Sequence, residues 1–536
     1  MLSRYFKNWL KLLGFTLRRD RFMLPAWMIG VVLFSAGFTP FFESMMGTKQ
    51  EAQVMFETMK SPAMVAMCGK VYGTEPTIGL MTSIFMLVWS AVLIGVMNIF
   101  LVARHTRKDE EDGRLEVIKS LPVGKSANLL SITKTAFIAN LLIAVMIGGF
   151  LVACNIKTVD AAGSFVYGAS IGVFGLFMAA MTALIAQLSS TSKGTIGLSM
   201  FLLGILYLMR AAGDLHSETL ARISPLGMVQ RTESFINNYV WPLLVVLGLS
   251  IIVFIISFAL NYSRDFGQGL VPARGGRAHA GKMLGGEFGL ALRLCRGVLI
   301  AWATSIFVLS AAYGSVFGDL QNFYKTNDLF KMMMGTPGIK EKDMIDPIVS
   351  MLTIIMAIIV TIAVVAILFK IKGEENSSRL EQVYSKSVSR VSNFLSYIII
   401  SSVGAAVMLF LVGFGMWVTS QSVMKNPVSL IFMTKCAMCH LPAVLAIIGF
   451  GALLIGLIPK LTMVVYAYIG YSFLAVYMGA LIKMPDWAIH ISPFGIIPRY
   501  PEDDYTFWPA FGLSLAFVVL SIAGLICYRR RNIDTN

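Results

Sequence analysis

Apolar runs of about twenty residues alternate with short polar segments along the whole chain. Twelve runs qualify as spans, at 23–42, 78–103, 129–153, 163–188, 194–212, 242–262, 298–318, 347–369, 394–418, 437–458, 461–482 and 508–528. A run of roughly 20 residues is what an α-helix needs to cross about 30 Å of hydrocarbon. The pattern therefore predicts an all-α polytopic membrane protein with twelve transmembrane helices. Ahead of the first run, residues 2–20 place Arg4, Lys7, Lys11, Arg18 and Arg19 among Tyr5, Phe6, Trp9, Leu10, Leu13 and Phe15. That mixture predicts a helix lying at the membrane surface.

Composition supports the same reading. Of 536 residues, 57% are hydrophobic and 14% charged, and the mean hydropathy is +0.74. A water-soluble chain of this kind could not cover its surface with polar groups. A cytosolic enzyme, a secreted disulfide scaffold and a disordered regulator are all excluded. The net charge of +15 would elsewhere suggest nucleic acid. Here it follows from asymmetry between loops: 29 of the 44 Lys and Arg fall on one set of alternate connections and 15 on the other. The richer side is expected to be the cytoplasm, which places both termini inside. No nucleic-acid partner is expected.

The chain also repeats itself. Arg114-Leu115-Glu116 returns as Arg379-Leu380-Glu381, Glu110 as Glu375 and Asn128 as Asn393, all offset by 265. Ile223-Ser224-Pro225-Leu226-Gly227 returns as Ile491-Ser492-Pro493-Phe494-Gly495, and Trp241-Pro242 as Trp508-Pro509. Six spans per copy give the copies the same orientation, a parallel repeat about an axis along the membrane normal. The expected organisation is a first half at 1–263, a Gly- and Arg-rich linker at 264–286 and a second half at 287–536.

The candidate chemistry is sparse. All 29 acidic residues fall in loops or at span ends, so an ion-coupled carrier would lack its membrane carboxylate; His440 is the nearest substitute. Leu121-Pro122-Val123-Gly124-Lys125-Ser126 resembles the end of a phosphate-binding loop, but Lys119 stands where the motif needs Gly, and the stretch reads as a polar turn. Cys436-Ala437-Met438-Cys439-His440 matches the haem-attachment spacing yet opens an apolar span, with no soluble fold to wrap a haem. The outer segments carry Met45, Met46, Met55, Met59, Met64 and Met67, then Met332, Met333 and Met334, read as adaptable apolar surface rather than a copper site. No catalytic or metal-binding spacing is present.

The stretch 104–128 carries most information. It clusters charge, continues as a short amphipathic turn (Leu115, Val117, Ile118, Leu121), and breaks at Pro122 and Gly124. Retention of Arg-Leu-Glu in both copies fits a docking surface for a soluble motor. This stretch, its partial copy and the Ser-Pro-Leu-Gly before the sixth span resemble the large permease subunits of bacterial ABC exporters of polyketide antibiotics, the tetronasin type. The resemblance spans essentially the whole chain. It implies six-span halves of the G-type ABC exporter fold and two copies of a separate ATPase carrying ATP and Mg, with no cofactor in this chain. It also implies an amphiphilic drug-like or peptide substrate. Glu110, Glu111, Gly113, Arg114 and Glu116 would meet the ATPase through a coupling helix, as would Glu374, Glu375, Arg379 and Glu381. Ser224, Pro225 and Gly227, like Ser492, Pro493 and Gly495, would belong to an outer re-entrant segment. The substrate path would run past Phe85, Trp89, Phe201, Met356 and Tyr471. The second copy departs from the pattern, with Ser378 in place of Gly113 and Ser387 in place of Pro122. The alternatives are a twelve-span ion-coupled carrier and a membrane-embedded enzyme or haem protein.

Overall fold

The computed structural model describes residues 5–46, 49–60, 62–265, 267–271, 279, 281, 284–315, 317, 345–376, 379–386, 388–424, 428–479, 484–498, 500 and 506–531. Among these there is no strand, and twelve helices are long and apolar enough to cross a bilayer. The chain forms two compact units, Met1–Gly276 and Arg277–Asn536.

In the first unit the spans are Met23–Phe42, Ile78–Glu111, Ala127–Ala153, Ala161–Leu188, Ser192–Leu215 and Trp241–Ser263. In the second they are Glu287–Ser315, Val349–Asn376, Arg390–Val423, Leu430–Leu457, Pro459–Tyr477 and Phe507–Arg530. Each of the twelve apolar runs corresponds to one span. The ends differ in an informative way. The second span runs on to Glu111, eight residues past the apolar run, through a π turn at Arg104–Lys108. Pairs one turn apart, Arg107–Glu110 and His105–Asp109, make this charged stretch helical where hydropathy predicts a loop. The eighth span extends likewise through the helix Lys370–Asn376, where Lys370 lies 4.0 Å from Glu374. The seventh span starts at Glu287, eleven residues before its apolar run. The basic segment before the first span is instead a separate helix, Trp9–Arg19, divided from it by the turn at Asp20–Phe22.

The first unit's core is drawn from the second, third and fourth spans, with Val88, Ala91, Ile94, Ile143, Phe174 and Met178 fully enclosed. Small and branched residues predominate, as suits helices that associate by close packing in lipid. One polar contact lies inside this packing. Asn98 and Asn140, on the second and third spans, exchange two amide hydrogen bonds of 3.0 and 2.8 Å. At the same offset of 265 the second unit has Ala363 and Ala405, both buried. A satellite cluster of Phe56, Met59, Cys68, Leu80, Met81 and Ile84 packs against Met46, Met55 and Met64. Part of the first methionine-rich segment is therefore packing; Met332–Met334 lie outside the described residues.

Two short helices follow the fifth span, Glu218–Ile223 and Pro225–Gln230, and the second unit has Asp486–Ile489 and Pro493–Ile496 in the same place. Ser224 donates to the Leu206 carbonyl at 2.9 Å. Leu206 sits nine residues inside the span's end, about 13 Å along a helix, so the chain folds back along the span. Gly227 and Gly495 explain why the motif repeats. A Cβ on Gly227 would lie 2.2 Å from the Ala221 carbonyl oxygen, and one on Gly495 2.2 Å from that of Ile489. In both copies the glycine admits the backbone six positions upstream. Gly227→Ala and Gly495→Ala should each destabilise the solubilised protein by about 1–3 kcal/mol, read as a lowered Tm. Gly248→Ala, where nothing lies within 4 Å, should not lower it.

Candidate functional site: paired charge clusters at the basic end of each half

Four of the charged groups on the extension of the second span hold neighbouring elements. Arg107 is enclosed, and its guanidinium donates to the carbonyls of Ala186 and Gln187, at the C-terminus of the fourth span, and to Gln268. It thereby satisfies carbonyls that a helix end leaves without partners. Glu110, 4% exposed, accepts from Arg107 at 2.8 Å and from both Nη atoms of Arg264 at 3.1 and 2.8 Å. Arg264 closes the sixth span as its C-cap. Glu111 accepts from the backbone N–H of Ser192 at 2.9 Å, placing a carboxylate at the N-terminus of the fifth span, where the helix dipole favours it. Asp109 binds Arg19 through two hydrogen bonds of 2.6 and 2.9 Å.

The second unit repeats this wiring with different side chains. Lys372 stands at Arg107's place and donates to the Pro459 carbonyl at 2.6 Å and Thr462 Oγ1 at 2.7 Å, just beyond the tenth span. Glu375, 7% exposed, pairs with Arg531, the C-cap of the last span. Glu374 pairs with Arg379 at 3.2 Å, as Asp109 lies 3.9 Å from Arg114. The link from the second span of each half to its last span survives, while other residue types in the cluster have changed.

Short helices follow, Arg114–Lys119 and Arg379–Tyr384. Gly113 caps the first at φ 71°, a left-handed conformation that costs glycine little; Ser378 and Ser387 lie outside the described residues. Leu115 and Leu380 are buried and anchor the helices, whereas Arg114, Glu116, Arg379 and Glu381 are exposed. Val117 is 70% exposed and Leu121 58%, an unusual amount of apolar surface in a charged segment. The geometry thus divides the residues that the sequence grouped together. Glu110, Glu374 and Glu375 are turned inward onto basic partners, and Glu111 is bonded to the fifth span. Gly113 sets the turn, and Arg114, Glu116, Arg379 and Glu381 present outward.

Three features were not read from the sequence. Arg264 and Arg531 are 267 positions apart, close to the repeat offset, and that spacing was the available signal. The segment Leu121–Ser126 receives the N-terminal turn: Gly124 N–H donates to the Lys7 carbonyl and Ser126 N–H to that of Tyr5, while Asn8 donates to the Pro122 carbonyl at 2.8 Å. Arg210, wholly buried near the far end of the fifth span, donates to the carbonyls of Val65, Ala66 and Met67 and pairs with Asp214 at 3.4 Å.

Of the five path residues, Trp89 and Phe201 are exposed within the first half, and Trp89 faces Tyr207 at 6.1 Å. Phe85 packs beside Phe42. Met356 is fully buried in the second half's core, and Tyr471 donates its hydroxyl to the Ala488 carbonyl at 2.6 Å. His440 is buried at the break between Leu430–Met438 and Leu441–Leu457, and among the described residues neither ring nitrogen is hydrogen-bonded. Among the described residues no group of three His, Cys, Asp or Glu could hold a metal.

Two six-span helical units with matched charge clusters define a duplicated polytopic membrane protein. The chain matches the family described as multidrug efflux system permease Rv1217c, C-terminal domain, over residues 11–260 and 284–529, and it belongs to that family. It is 30% identical over 548 aligned residues to the multidrug efflux system permease protein Rv1217c of Mycobacterium tuberculosis (strain ATCC 25618 / H37Rv), covering 98% of this chain and 96% of that one.

The first half ties its surface helix to the cluster. Asp20, 1% exposed, pairs with His105 and with Arg104 at 3.2 Å, and Arg19 holds Asp109. Burial by itself would raise the Asp20 carboxyl; the His105 hydrogen bond and the charges of His105, Arg104 and Arg19 outweigh it and hold the group below its ordinary value. A depressed folded value means that this anchor is complete above the ordinary aspartate range near pH 4 and is lost as pH falls through the lower folded value. Asp20→Asn should weaken the attachment by about 1–3 kcal/mol at neutral pH. Amide exchange in Trp9–Arg19 should then quicken while the third span stays protected. Unchanged exchange would count against the anchor.

Proposed function

We propose that this chain is the permease subunit of an ATP-driven ABC exporter of the tetronasin type, moving amphiphilic drug-like compounds outward across the bacterial cell membrane. The observation that carries the reading is the pair of short helices at the basic end of each half. Each is pinned by a buried leucine and presents charge outward, and the first adds bare apolar surface in Val117 and Leu121. A permease driven by a separate motor needs such contacts, with energies that differ between the motor's states. Two docking helices call for two ATPase copies, one per half, which carry the ATP and Mg. The relative's description as a multidrug efflux permease supports the substrate class. An ion-coupled carrier is the less favoured alternative, because every acidic residue described within a span lies close to one of its ends. Trp89 and Phe201 are the most accessible of the proposed path residues, and Met356 the least.

Glu116→Lys with Glu381→Lys should leave the permease inserted and folded but abolish efflux, because reversed charge replaces attraction by repulsion at the motor. Each reversal could cost about 2–5 kcal/mol where the pair is desolvated. Efflux and ATPase co-purification are the measurements, and wild-type efflux from the double variant would overturn the docking role. Sidedness is checked separately. In a background without native cysteines, a membrane-impermeant thiol reagent should label a cysteine at Lys60 in intact cells and leave one at Lys119 unlabelled. The opposite pattern would invert the topology.

A further inference from the structure

Each short helix is tied at both ends to the last span of its own half. In the first half, the Glu110–Arg264 pair precedes the helix, and behind it Asn261 donates to Ser126 Oγ at 3.2 Å and Lys125 to the Tyr262 carbonyl at 2.6 Å. Arg264, Asn261 and Tyr262 all belong to the final turn or cap of the sixth span. In the second half, Glu375–Arg531 precedes the helix. At its last residue the hydroxyls of Tyr384 and Tyr528 lie 3.1 Å apart, and behind it Arg390 donates to the Arg531 carbonyl at 3.2 Å. The side chains behind the helix differ completely between the copies, yet their target is the same span end. A loop needing only to connect two spans would have no reason to keep both attachments through that divergence.

We propose that the last span of each half is the element the short helix moves, and that Glu110–Arg264 and Glu375–Arg531 are the positioning pairs that carry the displacement. This rests on the motor-driven reading above. A push on the short helix reaches the second span through the chain itself and the last span through these bonds. The carboxylate is desolvated in both copies, so the pair holds its geometry where an exposed pair would exchange with water. Glu110, Arg264, Glu375 and Arg531 are therefore positioning residues that neither meet the motor nor line the path.

The test uses the full permease with the ATPase that co-purifies with it, reconstituted in liposomes. Export is followed with whichever macrolide, tetracycline or quaternary ammonium compound the wild type exports best. Arg264→Gln leaves Glu110 its bond to Arg107, and Glu375→Gln and Arg531→Gln remove the second pair. Each variant is expected to insert and retain the ATPase, while export per ATP hydrolysed falls about tenfold, a typical coupling free energy between separate sites. The exchange Glu375→Arg with Arg531→Glu should recover most of the loss; the second half is chosen because Glu110 also serves Arg107. Wild-type export per ATP in the single variants would overturn the proposal. So would loss of the ATPase in step with export, or an exchange variant no better than the singles. If the singles fail to insert, recovery of insertion and export by the exchange supports the pair, and failure of both refutes it. A wild-type complex that exports without ATP, or binds no ATPase, would instead sink the motor-driven reading itself.

Discussion

A carboxylate on the extended second span, closed against an arginine that ends the last span, is the contact on which the basic end of each half is built. Neither partner could stand alone there. The apolar run begins about two turns deeper, and an unmatched charge so enclosed would cost several kcal/mol. Once paired, the two groups fix where the second span stops, how the last span leaves the membrane and where the short helix hangs. Arg107 extends the frame to the end of the fourth span, and Lys372 binds the turn that opens the eleventh.

The transmembrane architecture was legible because lipid imposes a rule that single residues obey: twenty apolar positions in a row have few other uses. The charged extension was not legible, because hydropathy scores Arg104–Glu111 as loop and ignores pairing between neighbours. The roles inside the cluster were hidden for a different reason. Glu110 and Glu116 look alike in sequence, and only the position of Arg264, 154 residues away, separates the buried strut from the exposed contact. The repeat singled out this segment. It registered that Glu110 and Glu375 were retained, although retention alone could not tell whether the partner lay inside the chain or beyond it. The glycine of the Ser-Pro-x-Gly motif was similarly visible as a repeat, and its cause, a carbonyl six residues upstream, needed coordinates.

The halves have kept their contacts more faithfully than their residues. Arginine has become lysine, aspartate glutamate, and an amide-hydroxyl contact a tyrosine pair, with the same helix ends joined. In the first half Asp20 and His105 hold the surface helix, and the N-terminal turn closes on Gly124 and Ser126. These contacts brace the short helix Arg114–Lys119 from the N-terminal side.

The asparagine pair inside the first half bears on how the chain is made. The second and third spans leave the ribosome in succession, and each brings one side-chain amide that bare lipid would solvate poorly. Entering together, they can satisfy each other before any later span arrives, and the two reciprocal bonds accept only one alignment of the helices. The second and third spans thus bring their own alignment key. Ala363 and Ala405 leave the later pair without one, so its insertion depends on the packing of its apolar neighbours.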